Sequence, residues 1–216
     1  MKTYRHIIFD FDGVLCDSLS PAIQTYNLLV EETFPQVGHT MSKALLRNRY
    51  QGDFRASLAP FLAKEVQDQF LRRHAEHMRE KAPELPLFPQ VRNLLEHLGP
   101  KGYSVVTGSF RVAVEKVFSN HEIPYSKETL IFGNEAKKLK YEKIQMVLHK
   151  KGLSANEAIY VGDLPGDIRS CRKIQVDIAS AGYGYAPSSH LETHSPDFLL
   201  ESVSALTNFA QDAFNL

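Results

Sequence analysis

Apolar residues along this chain fall into short unbroken runs and into longer stretches where they recur every three or four positions. The first run, His6-Ile7-Ile8-Phe9, is too short for a helix and predicts a buried parallel strand. After Ser18 the pattern turns helical: Ser20-Pro21 suits a helix start, and Ile23, Tyr26, Leu28 and Val30 continue a largely apolar segment. From Met41 to about Ala82 helical spacing persists, through Leu45, Leu46, Leu58, Leu62, Val66 and Phe70, with no alternating strand. This stretch predicts an all-helical insertion. Its exit carries Pro83, Pro86 and Pro89, which suits a semi-rigid linker.

Beyond the linker the two patterns take turns. Helices are expected over 91–98, 112–120, 140–151 and 167–173, and strands over 103–106, 130–132, 158–161 and 176–179. A short strand over 197–199 and an amphipathic helix through Leu206, Phe209 and Phe214 end the chain. Such alternation predicts an α/β, doubly wound, Rossmann-like parallel sheet with right-handed crossovers and an inserted all-helical cap domain. The core domain is placed at residues 1–17 and 85–216 and the cap at 18–84.

Composition narrows the class of partner. The 216 residues are 43% hydrophobic, enough for a proper core, and 25 basic residues balance 25 acidic ones. No net field calls for nucleic acid or an anionic membrane. The first residues lead into the strand without an apolar signal region, and no later apolar run is long enough to span a bilayer. A soluble, cytoplasmic protein is the expectation. Cys16 and Cys171 form no metal-type spacing and read as reduced, small apolar residues. His74 and His77, among many charges, read as a solvated helix face.

The chemistry sits at the strand ends, where open α/β sheets gather their ligands. The first strand runs into Asp10-Phe11-Asp12-Gly13, two neighbouring carboxylates that either break the strand as a surface turn or are neutralised by a hard divalent cation such as Mg²⁺. The second strand is followed by Thr107-Gly108-Ser109, whose hydroxyl and backbone N–H groups can hold phosphate oxygens; Ser109 also reads as a helix N-cap. Lysines follow Phe132-Gly133, one of which could balance the carboxylates. The fourth strand ends in Gly162-Asp163-Leu164-Pro165-Gly166-Asp167, a second acidic pair placed beside the first.

These four signals resemble, in order and context, the motifs of the haloacid dehalogenase-like (HAD) phosphohydrolases. The match to Asp-x-Asp-Gly-x-Leu-x-Asp-Ser runs unbroken from Asp10 to Ser18, Thr107 matches the second motif, and Gly162, Asp163 and Asp167 match the fourth. For the third motif Lys140 sits best relative to the following helix, with Lys138 as the alternative. The insertion resembles the cap of the phosphoglycolate phosphatase and β-phosphoglucomutase branch. The resemblance implies an Mg²⁺-dependent phosphatase acting on a small phosphorylated metabolite, with Asp10 as nucleophile and Asp12 as general acid and base. It further implies Asp10, Asp163 and the Asp12 carbonyl around the metal, Asp167 orienting them, and Thr107 and Lys140 on the transferring phosphoryl group.

Substrate contacts are expected from Gly108 and, through a stretch from Tyr50 to Leu58 similar to the specificity loop of β-phosphoglucomutases, from Gln51 and Arg55. Gly182-Tyr183-Gly184 resembles a Gly-rich turn of phosphoglycolate phosphatases and reads first as a structural turn. A sugar phosphate mutase is the enzymatic alternative, but where those mutases carry a protective histidine on the first cap helix this chain has Ala22, with no nearby histidine in sequence. Asp12 argues against a haloalkanoic acid dehalogenase, and motif order argues against a receiver-type domain. An inactive binding protein on the same fold is the non-enzyme alternative.

Overall fold

The computed structural model describes residues 2–49 and 54–214. Its centre is a parallel sheet of six strands: β1 (His6–Phe9), β2 (Tyr103–Val106), β3 (Ile131–Phe132), β4 (Ala158–Gly162), β5 (Asp177–Ala181) and β6 (Phe198–Leu200). They lie in the order β3-β2-β1-β4-β5-β6, so the chain reverses direction across the sheet between β1 and β4. Phe9 pairs with Val105 on one side and Val161 on the other.

Both faces of the sheet are covered, which is why the strand sequences read as unbroken apolar runs. Ile7, Phe9, Val105 and Val161 point to one face. There they meet α5 (Val91–Gly102), α6 (Arg111–Asn120) and α10 (Val203–Phe214). Ile8, Val106, Tyr160 and Ile178 point to the other, against α7 (Lys140–Lys151), α8 (Pro165–Ile174) and α9 (Ser188–Glu192). The strands and helices expected from sequence are all present, with ends shifted by a few residues. The helix over 91–98 extends to Gly102 only across a break at Gly99, where φ is 61° and Pro100 follows.

Between β1 and α5 the chain forms α1 (Leu19–Glu32), α2 (Lys43–Asn48), α3 (Phe54–Leu58) and α4 (Lys64–Lys81). These helices share a core of their own, built on Tyr26, Phe34, Leu46, Leu58 and Phe70. The segments entering and leaving this layer run antiparallel and hydrogen-bond to each other, Asp17 N–H to the Pro86 carbonyl at 2.9 Å and Phe88 N–H to Leu15 at 3.0 Å. Among the described residues no helix is long and apolar enough to cross a membrane. Both cysteines are buried and free.

The expectation of a solvated His74 is corrected. Its side chain is buried on the inner side of α4, with Nε2 2.8 Å from the Ala22 carbonyl of α1. The charged neighbours belong to the other faces of the helix, and counting charges along the sequence could not tell one face from another. His77 does lie toward the surface, on the Arg73 carbonyl.

A second buried histidine, His6 of β1, shares a 2.8 Å hydrogen bond with Ser104 Oγ. Burial, helped by the charge of Lys151, lowers its pKa to about 4. The folded state therefore keeps His6 neutral between about pH 6.5 and 4, where the unfolded chain takes up the proton, so stability falls as pH falls through that window by about 3 kcal/mol. Denaturant unfolding of wild type and His6→Gln from pH 7 to 4.5 should show the wild-type advantage shrinking toward acid. A pH-independent difference would contradict the assignment.

Candidate active site

The loops after β1, β2 and β4 converge at the chain reversal, and with them the carboxylates expected from sequence. Asp10 leaves β1 with its N–H on the Val161 carbonyl at 2.8 Å, and its Oδ1 accepts from the Phe11 N–H at 2.7 Å. Asp163 leaves the neighbouring β4, and its Oδ2 accepts from the Tyr185 N–H at 2.7 Å. Asp167 lies in the first turn of α8, where Oδ2 takes the N–H groups of Asp163 (3.1 Å) and Leu164 (3.0 Å). Its position there also favours the anion through the helix dipole. Oxygen atoms of Asp10, Asp163 and Asp167 come within 4.8 Å of one another, and all three residues are buried.

One lysine enters this cluster. Lys140, at the start of α7, reaches Asp10 Oδ2 at 2.6 Å and Asp167 Oδ1 at 2.5 Å, and its ammonium lies 5.8 Å from the Tyr160 ring centroid. Lys138 is exposed and makes no such contact, so the choice between the two falls to Lys140. Burial alone would lower the Lys140 pKa, but the charges of Asp10 and Asp167 overcome it and hold it well above the usual lysine value. Burial raises Asp10 to about 6, with Lys140 opposing and Asp167 and Asp12 adding to the rise. Asp163 is pushed well above the usual carboxylate range by burial and by the charges of Asp10 and Asp167.

The donor set fits a divalent cation. Asp163 Oδ1 is buried without a hydrogen-bond partner among the described residues, an arrangement that costs free energy unless something binds there. Three carboxylates with one ammonium also leave two negative charges unbalanced when all are ionised, and oxygen-only donors of this kind suit Mg²⁺. Asp167, by contrast, has both oxygens engaged and serves to orient its neighbours.

Asp12 stands apart from this cluster and lines a cavity of about 530 Å³ between α1, α4 and the loop after β2. Its Oδ2 accepts from Ser109 Oγ at 2.6 Å. The N-cap reading of Ser109 is thereby corrected, since Phe110 caps α6 and the hydroxyl is spent on Asp12. Thr107 is buried, with Oγ1 accepting the Ser109 N–H at 3.0 Å, and Gly108 is exposed beside it. Gln51 lies outside the described residues. Arg55 lies in α3, and its side chain is outside the described part.

Several contributors were invisible in the sequence reading. Lys143 is buried one turn beyond Lys140 and donates to the Thr107 carbonyl at 2.6 Å and to Gly133 at 3.3 Å, tying together the ends of β2 and β3. The three-residue spacing from Lys140 could have pointed to it. Tyr185 holds Asp163 through its backbone and shares a hydrogen bond with Ser18 Oγ at 3.0 Å. Arg47 of α2 donates to the carbonyls of Gly182 and Ala186, fastening the helical layer to the loop that carries Tyr185. Gly184 in that loop is more than a turn residue: a Cβ there would stand 2.5 Å from both Asp163 and the Gly13 carbonyl. Gly13, at φ 75°, is equally constrained, since a Cβ would fall 2.0 Å from Asp163 Oδ2.

Comparison with known proteins places this constellation. The sequence model of the haloacid dehalogenase-like hydrolases matches residues 7–181. A phosphoglycolate phosphatase from Synechococcus elongatus is 25% identical over 211 residues, covering 93% of this chain and 94% of the relative. A pyrophosphatase from Oceanobacillus iheyensis is 24% identical over 215 residues, covering 97% and 98%. Among solved structures, a haloacid dehalogenase-like hydrolase from Streptococcus pneumoniae superposes with a TM-score of 0.74 at 24% identity over 95% of this chain and 98% of its own, a likeness of fold. With the family match spanning most of the chain, from β1 through β5, this protein belongs to the haloacid dehalogenase-like hydrolases.

Proposed function

We propose that the chain is an Mg²⁺-dependent phosphatase that hydrolyses a small phosphomonoester through an aspartyl-phosphate on Asp10, in the manner of a phosphoglycolate phosphatase. The observation that carries this reading is the contact of Asp10 with Lys140 inside the buried carboxylate cluster, with Asp12 two residues away on the cavity wall. The named relatives act on phosphoglycolate and on pyrophosphate, so they support phosphoryl chemistry and differ in leaving group.

In the first step the Asp10 carboxylate attacks phosphorus in line, the bond to the leaving oxygen breaks, and Asp12 gives that oxygen its proton. In the second, Asp12 takes a proton from water, the water oxygen attacks phosphorus, and the acyl–oxygen bond to phosphorus breaks to regenerate Asp10. Lys140, in contact with Asp10, and Thr107 would hold the transferring oxygens, and Lys143 keeps the Thr107 loop in place. Asp10, Asp163 and the Asp12 carbonyl would hold Mg²⁺, oriented by Asp167. The ion, when bound, supplies charge neutralisation for the phosphoryl oxygens. Ser109 fixes the Asp12 carboxyl that must serve both steps.

Hydrolysis is favoured over phosphoryl return to a sugar because Ala22, a methyl group on the cavity wall, offers nothing to hold back water. His74 does reach this wall, contrary to the expectation of no nearby histidine, but its Nε2 is committed to the Ala22 carbonyl and burial lowers its pKa.

With Mg²⁺ and a phosphomonoester panel the protein should release inorganic phosphate without a sugar bisphosphate activator, and EDTA should abolish this reversibly. Glucose 6-phosphate forming from β-glucose 1-phosphate faster than phosphate appears would favour the mutase. Asp12→Asn should lower kcat by about 10²–10⁴-fold. Asp10→Asn should remove turnover and the capture of fluoroberyllate, measured by fluorine NMR.

Mg²⁺ at about 100 times its Kd should stabilise the wild type by about 2.7 kcal/mol. Asp163→Asn should lose most of that gain in a thermal melt, and an undiminished gain would place the ion elsewhere.

A further inference from the structure

The cavity beyond Asp12 constrains the leaving group. An in-line displacement at phosphorus puts the departing oxygen opposite Asp10, and that oxygen must reach its proton donor. With Asp12 as the donor, the group attached to the oxygen has to extend into the space that opens from Asp12 and Ser109. The inference rests on the phosphatase reading above.

That space is far larger than a two-carbon hydroxy acid needs. At about 530 Å³ it falls within the roughly 300–1,000 Å³ typical of sites for drug-sized ligands. Small side chains make the room, with Ala22 on α1, Ala75 on α4 and Ala113 on α6. Larger apolar groups finish the walls, among them Phe11, Met78 and Phe110. Phe110 is the most telling of these. It is a large hydrophobic residue left 53% exposed, one position beyond the serine that holds Asp12. An aromatic ring kept in water beside a catalytic acid gains its burial when a ligand covers it.

The polar groups on the walls are engaged with one another. Ser18 Oγ and Tyr185 OH share a hydrogen bond, and His74 Nε2 is on the Ala22 carbonyl. Arg79, exposed at the rim, is the only cation among the described lining residues. A compact anionic leaving group such as glycolate or phosphate would find no cluster of cationic donors among the described residues that line this space. We propose that the substrate is a phosphomonoester whose alcohol carries an extended apolar body, alkyl or aromatic, lying between Phe110 and the inner face of α4.

Ethyl, butyl and hexyl phosphate test this, because their alcohols are similar as leaving groups and differ in apolar length. With Mg²⁺, kcat/KM should rise by up to about fourfold per methylene, at least tenfold over the series, and pass that for 2-phosphoglycolate and pyrophosphate. Phe110→Ala, at a position 53% exposed, should cut kcat/KM for hexyl phosphate at least fivefold more than it cuts that for ethyl phosphate. Ala75→Phe should flatten the series by filling the cavity. A flat or falling series in the wild type, or highest kcat/KM on 2-phosphoglycolate, would overturn the proposal while leaving the phosphatase reading intact. If no ester is turned over, the phosphatase reading fails, and calorimetry of the Mg²⁺-loaded protein with ethyl and hexyl phosphate still decides. Equal affinities would overturn the apolar subsite, and tighter binding of hexyl phosphate would sustain it.

Discussion

The contact of Lys140 with Asp10 and Asp167 makes the rest of the site possible, because three buried carboxylates cannot otherwise share so small a space. Two like charges about 4 Å apart repel by about 4 kcal/mol at an effective dielectric near 20, and each also loses its hydration. One ammonium relieves part of this, and backbone N–H groups from Phe11, Leu164 and Tyr185 relieve more. What remains is a site short of positive charge, a donor set that fits a divalent cation.

The sheet exists to hold these groups still. β1 and β4 are adjacent, buried on both faces, and pair along the whole of β1, so Asp10 and Asp163 emerge side by side from the centre of the sheet. Lys143 extends the same rigidity to the Thr107 loop by anchoring it to β3. Mobile elements would serve poorly here, since small errors of placement cost a large share of the rate.

The helical layer has the complementary task. It covers the cavity next to Asp12, and among the described residues it is fastened to the sheet side by the paired linkers, by Arg47 on the Gly182–Ala186 loop, and by Ser18 with Tyr185. Tyr185 takes part in both halves, because its backbone holds Asp163 while its hydroxyl meets the helical layer. The position of that layer and the orientation of the Asp163 carboxylate are therefore linked through one residue.

Local chemistry made much of this legible in advance. Asp10, Asp12, Asp163 and Asp167 stand at the ends of apolar runs, and a run that ends in acids announces itself whatever surrounds it. The order of strands and helices was equally clear, because period and punctuation are properties of the chain alone. Which of Lys140 and Lys138 meets the carboxylates depends on where α7 begins and how it docks: Lys140 opens the helix and turns onto Asp10, whereas Lys138 lies before it and is exposed. His74 was misread because only packing tells which face of α4 is the inner one, and Lys143, Arg47 and Tyr185 act through partners between 22 and 139 positions away. The apolar cavity is the extreme case: its walls come from five separate segments, and nothing within any one of them records that the others face it. The sequence determined which groups could do chemistry, because reactivity belongs to the residue. Only the tertiary structure decided which of them meet and what space they enclose, because contact depends on how faces pack.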